Sequence, residues 1–159
     1  MEIDYLTAFF FAFLATCGFG FILQVPLKSL QTSGIIGAIG WVVFIHIART
    51  MGSSTAYANF TATVIIALVS ELAARISKQP VNIYVIPGII PLVPGLGMYQ
   101  GMTQIISGHY EYGMNILMHA GSDAGAIAMG MMLVTSIFRM FKITNEQRKH
   151  IQEKLKSKY

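Results

Sequence analysis

Residues 81–106 form an apolar run long enough to cross a bilayer. Its middle reads Val85-Ile-Pro-Gly-Ile-Ile-Pro-Leu-Val-Pro-Gly-Leu-Gly-Met-Tyr-Gln-Gly101. Pro87, Pro91 and Pro94 each lack a backbone donor, and Gly88, Gly95, Gly97 and Gly101 loosen the chain. A continuous helix through this run would be badly strained. In hydrocarbon, a broken backbone survives only where protein or a water-filled cavity satisfies the freed groups. The segment therefore needs a membrane setting and neighbours packed around it.

The rest of the chain supplies that setting. Charged residues make up 11% of the sequence and hydrophobic ones 54%, whereas soluble domains carry about 25% charged residues. The fold class expected is an all-α integral membrane protein with about five transmembrane helices, the fourth broken by Pro and Gly, and a basic cytoplasmic C-terminal helix. The spans fall at about 5–24, 34–50, 56–74, 83–106 and 114–138, within a transmembrane domain of residues 1–141. Residues 142–159 form the basic tail, with Thr144 or Asn145 as its N-cap. Met1-Glu-Ile-Asp-Tyr lacks the basic start of a cleaved signal peptide, so the first span is read as a retained anchor. Cys17 is a small packing residue in an apolar helix.

Small residues mark the faces on which helices approach closely. Gly18 and Gly20 serve the first span, and Gly34, Gly37 and Gly40 the second. In the fifth span Ala120, Ala124 and Ala128 recur beside Gly121 and Gly125. Val25–Ser33 and Ser107–Gly113 read as loops. Glu71 and Arg75 at i, i+4 can pair where the third span leaves the membrane.

Polar residues inside the spans are the candidates for function. Asn59, Thr63 and Ser70 are offset by four and eleven positions and share one face of the third span. Such a stripe either lines a path or hydrogen-bonds another helix. Asp123 lies within about one turn of the middle of the fifth span, where an ionised carboxylate costs at least ~2.5 kcal/mol without a partner. His119 precedes it by one turn and Asn115 by two, giving the sharpest polar constellation in the chain. Tyr99 and Gln100 follow the break as further groups able to line a cavity. A discontinuous membrane helix is the usual sequence pointer to a transporter's binding site.

Five spans also sort the cations. Lys28, Arg75, Lys78, Arg139, Lys142 and the cations of the tail (Arg148, Lys149, Lys154, Lys156, Lys158) fall on one side, and Arg49 alone on the other. The positive-inside rule then puts the N-terminus outside and the C-terminus in the cytoplasm. Basic residues beside a membrane helix are explained by this orientation, so no nucleic-acid partner is expected.

The run from Pro87 to Gly95, with Tyr99 and Gly101 after it, resembles the threonine/serine exporter family. So do Gly20, Phe21, Pro26, Lys28 and the stretch Gly34-Ile-Ile-Gly-Ala-Ile-Gly-Trp41. Size and segment order are similar to the small subunit of the split, two-protein form. The resemblance implies a bacterial inner-membrane exporter of small carboxylate-bearing metabolites, threonine and serine or a dicarboxylate such as succinate. It also implies a larger membrane subunit with an N-terminal cytosolic domain as partner. The glycine- and alanine-lined faces meet either that partner or a second copy in a homo-oligomer.

On this reading the broken span offers backbone amides to a substrate carboxylate. Asp123 then holds a substrate ammonium or carries a proton, with His119 tuning it. The alternative is a non-transporting membrane subunit that stabilises a partner. Enzyme chemistry is not expected: His119, Ser122 and Asp123 sit on one helix, and no Gly-x-Ser-x-Gly elbow is present. His119 and Asp123 alone make too few ligands for a metal site, and no cofactor is expected.

Overall fold

The computed structural model describes residues 4–50 and 54–156, with side chains as far as Met140. Six α-helices are described: α1 (Tyr5–Ile22), α2 (Leu27–Thr50), α3 (Thr55–Ser77), α4 (Asn82–Ile89), α5 (Gly95–Ile106) and α6 (Tyr110–Lys156). A 3-10 turn, Ile90–Leu92, follows α4. α1, α2, α3 and the Tyr110–Met140 part of α6 are each long and apolar enough to cross a membrane. Asn82–Leu92 and Gly95–Ile106 together make a fifth candidate crossing, bent by 47° at their junction.

Close contacts fix the helix directions. α1 lies antiparallel on α2, with Phe13 and Cys17 against Gly34 and Thr16 against Gly37. α3 and α6 run parallel: Thr55 meets Asp123, Thr63 meets Gly130, and Arg75 lies over the Phe138 ring. α4 runs parallel to α2, as Ser29 meets Tyr84 and Gly88 lies near Gly37. These directions bring Lys28, Arg75, Lys78 and Arg139 to one end of the bundle. Arg49 is at the other end, its guanidinium 5.7 Å from the Tyr5 ring. Glu71 and Arg75 approach to 3.9 Å, the expected surface pair.

The core lies where α2, α3, α4 and α6 converge, on Ile36, Ile66, Tyr84, Val85, Ile127 and Val134. Leu6, Phe10, Phe11 and Phe21 of α1 point outward, as bilayer-facing side chains do. Ser54 caps α3 by accepting the Ala56 amide, and Lys78 closes it in the left-handed conformation.

Three expected boundaries move. Residues 27–33 are helical rather than a loop. Pro26 suits a helix start, its carbonyl takes the Ser29 and Leu30 amides, and burial of Ser29 and Ser33 against α4 holds the added turns. Residues 110–113 are helical as well, because Gly108, at φ +87°, turns the chain sharply. Helical backbone also continues from α6 to Lys156 with no new start at Thr144 or Asn145. The side chains of that tail lie outside the described residues.

The small-residue faces are corrected too. Gly34 and Gly37 meet α1, but Gly40 meets Ile66 of α3, so the strip serves two neighbours. Gly18, Gly121 and Gly125 have nothing close to them among the described residues. The tight approaches of α6 fall at Gly113, against Gly101 and Ile105, and at Gly130, against the Phe60 carbonyl.

Candidate functional site

α3 and α6 pack along one seam that carries the polar face of α3 and Asp123 of α6. Thr55 Oγ1 donates to Asp123 Oδ1 at 2.8 Å. Thr55, Asn59, Thr63 and Ser70 stand at i, i+4, i+8 and i+15, all on one face of α3. Asn59, Thr63 and Ser70 are buried. Asn59 Oδ1, Thr63 Oγ1 and Ser70 Oγ have no hydrogen-bond partner among the described residues. Buried polar atoms are nearly always satisfied, so three on one face mark a line of unmet hydrogen-bonding capacity. It runs for roughly 16 Å along α3, at 1.5 Å per residue. Asp123 stands at its head.

The depth of Asp123 differs from the sequence expectation. It lies near the middle of the Tyr110–Met140 span, yet it bonds to the first residue of α3. The carboxylate therefore sits at the rim of the α1–α3 layer, and residues 110–122 of α6 continue beyond that rim.

The start of α5 comes to the same level. Gly97 packs against Ala120 of α6, and α5 runs antiparallel to α6, with Gly101 against Leu117. Counting back from Gly97 as α6 runs on from Ala120 to Asp123 brings Pro94 and Gly95 level with the carboxylate. A helix N-terminus leaves its first amides without intrahelical acceptors and carries partial positive charge. The seam thus combines a carboxyl group held by Thr55, a helix start suited to anions, and a line of hydroxyl and amide groups.

The break itself is internally satisfied on its acceptor side. Pro87, Pro91 and Pro94 deprive the carbonyls of Ile83, Pro87 and Ile90 of their usual helical donors. Ser33 Oγ lies 3.0 Å from the Ile83 oxygen, the Ile90 amide donates to Pro87, and the Val93 amide to Ile90. On the donor side the Gly95 amide is taken by the Val93 carbonyl at 2.7 Å, so what the break leaves for a ligand is the amides that follow it in the first turn of α5.

Of the predicted residues, Asp123 meets α3 at Thr55, one and two turns before Asn59 and Thr63 on the same face. Gly88 is buried against α2 and α3 and Pro87 near Gly20 of α1, whereas Gly95 is exposed. Tyr99 and Gln100 are exposed on α5 and do not join the seam. Asn115 and His119 are exposed on α6, lining an open trough with Glu111, Met114, Met118 and Ser122. Near the C-terminal end of α2, His46 Nδ1 lies 3.4 Å from Tyr5 Oη, a local interfacial contact. Thr55 escaped the sequence reading; its place one turn before Asn59 on the same face was the available signal. Among the described residues, no three His, Cys, Asp or Glu side chains gather as a metal site would need.

The profile of a family described as threonine/serine exporter, ThrE, matches residues 8–137. An uncharacterised protein of Haemophilus influenzae is 26% identical over 141 residues, covering 80% of this chain and 46% of its own length. The chain thus spans less than half of that relative. No solved structure matches.

Proposed function

Because the chain belongs to the threonine/serine exporter family, we propose that it is the membrane subunit of a secondary exporter that moves small amino acids out of the cytoplasm with a larger partner subunit. The observation that carries this reading is the seam headed by Asp123, with its line of buried oxygens lacking partners along α3. A path across a bilayer needs hydrogen-bonding groups that helix packing has not already consumed, and a transported solute or water supplies their partners. The end bearing Lys28, Arg75, Lys78 and Arg139 faces the cytoplasm under the positive-inside rule, and Asp123 lies toward the opposite side.

The chemistry favours a zwitterion over a dicarboxylate. Asp123 pairs with a substrate ammonium, and the first amides of α5, level with it, receive the carboxylate. A second substrate carboxylate would meet Asp123 as a like charge. Lys28, Arg75, Lys78 and Arg139 lie at the opposite end of the bundle, and Arg49, at the same end as Asp123, is engaged over the Tyr5 ring. Threonine and serine fit this arrangement with their hydroxyl on the Asn59–Thr63 line; succinate fits less well.

Cells lacking the chromosomal copy, loaded with serine, threonine or succinate, test the proposal when complemented with the parent chain or Asp123→Asn. Asp123→Asn should lower amino-acid efflux by about tenfold or more, equivalent to ~1.4 kcal/mol, at an unchanged amount of protein in the membrane. Unchanged efflux would remove Asp123 from the path. The Thr55–Asp123 hydrogen bond also favours a second reading, in which the carboxylate only joins helices and the chain stabilises its partner. On that reading Asp123→Asn depletes the assembled complex, and the surviving complex exports at the parent's rate.

A further inference from the structure

The front of α6 and all of α5 beyond its first turn lie outside the proposed path. Since Asp123 meets the first residue of α3 and the two helices run parallel, residues 110–122 reach about 20 Å past α3. α5 packs along that extension, with Gly101 against Leu117 and Gly113 against Ile105. The result is a projecting two-helix hairpin. One of its faces is the trough on α6, where Glu111, Asn115, His119 and Ser122 alternate with Met114 and Met118.

Neither lipid nor water suits this face. Hydrocarbon would leave an amide, an imidazole, a hydroxyl and a carboxylate unsatisfied. Water would leave the exposed methionines and the apolar rest of the hairpin uncovered. A protein surface of mixed character satisfies both, and methionine side chains adapt readily to one. In a second copy related by a two-fold axis along the membrane normal, Glu111 would face Glu111 and His119 would face His119. Such a pair sets like beside like and supplies no opposite charge to either. The Haemophilus influenzae relative is matched over only 46% of its length, so an exporter of that length has further segments available to cover the hairpin.

We infer that the trough on the α5–α6 hairpin docks a membrane helix from the other half of the exporter, one bearing a cationic or donor group opposite Glu111 and an acceptor opposite His119. This rests on the export reading for the existence of that other half. It assigns the face by which the halves join.

A photo-crosslinking amino acid at Met118 in the chromosomal copy tests it, since the substitution leaves the polar groups of the trough in place. After irradiation of intact cells, the cross-linked peptide is sequenced. The expected peptide comes from a membrane segment that aligns with the half of the Haemophilus influenzae protein this chain does not match. The same label at Phe11, outward on α1, should not capture that segment. Asn115→Leu beside the Met118 label should cut capture by about fivefold, the size expected when an interhelical hydrogen bond is lost. A peptide from a second copy of this chain, an unrelated protein, no protein adduct, or equal capture at Phe11 would each overturn the assignment. Efflux from the same cells separates the two claims. Normal serine efflux without the expected capture sinks the docking face alone, and the expected capture without efflux of any loaded amino acid sinks the export reading alone.

Discussion

α4 is wedged against α2 and α3, with Tyr84, Val85, Pro87 and Gly88 all buried, whereas α5, on the other side of the same break, buries Gly101 and packs on α6. Both come from one apolar run of similar composition. Their environments differ because of what each presents to its neighbours. α4 offers the Ile83 carbonyl that Pro87 has freed, and Ser33 reaches it; it also carries Tyr84, whose hydroxyl meets Ser29 at 3.1 Å. α5 offers glycine on one side and Met98, Tyr99 and Met102 on the other. A broken span therefore divides its labour: the first half is clamped into the bundle, and the second is held by one helix and set at 47° to the first.

The largest expected effect contrasts two tyrosines. Tyr84 is 1% exposed and Tyr99 is 69% exposed. Tyr84→Ala should destabilise the bundle by about 3–5 kcal/mol, through the cavity it leaves and the partner it takes from Ser29. Tyr99→Ala should change stability by less than ~0.5 kcal/mol. Denaturant melts of the purified protein in detergent read both. Equal losses would mean that α5 is as firmly packed as α4.

How much of this division could be read from the chain depends on the range of the interaction. The helices follow from apolar length, and the break from prolines within a few residues of each other. The shared face of Asn59, Thr63 and Ser70 follows from helical period, and Asp123 is conspicuous because charge in hydrocarbon is costly. The pairings were not legible. Thr55 meets Asp123 across 68 positions, and Ser33 meets Ile83 across 50. Each depends on how helices rotate and slide, which no local pattern records. The exposure of Tyr99 and Gln100 was not legible for the same reason: the face that α5 turns outward is set by the bend and by Gly97 and Gly101 docking on α6. Gly121 and Gly125 have the right spacing for a helix contact, but they lie on a side of α6 that meets nothing close among the described residues.

Ser33 gives the intermediate test of the clamp. Its hydroxyl lies 3.0 Å from the Ile83 oxygen and 3.0 Å from the Ser29 oxygen, so one proton serves two acceptors. Ser33→Ala should cost about 1–3 kcal/mol, because a carbonyl deprived of its helical donor by Pro87 then stays unsatisfied in an apolar core. Hydrogen exchange should accelerate across α4 and leave α5 unchanged. Faster exchange in α5 as well would show that the two half-helices open together, against the separation drawn above.

The smallest effect is expected at Gly97, where it has the opposite sign. A Cβ there would lie 3.5 Å from Ala120, an ordinary contact, so Gly97→Ala fits without displacing α6. Alanine favours a helix over glycine by about 1 kcal/mol at an interior position and somewhat less near the first turn. α5 should therefore gain about 0.5–1 kcal/mol, and its amides should exchange about two- to fivefold more slowly. α4, on the far side of the break, should not respond. Serine efflux by the same variant asks what the loosely held half contributes. If the α5 start is a fixed cradle for the substrate carboxylate, efflux stays at the parent's rate. If α5 must loosen from α6 on each cycle, efflux falls by the factor by which exchange slows, and the contrast with α4 extends from packing to motion.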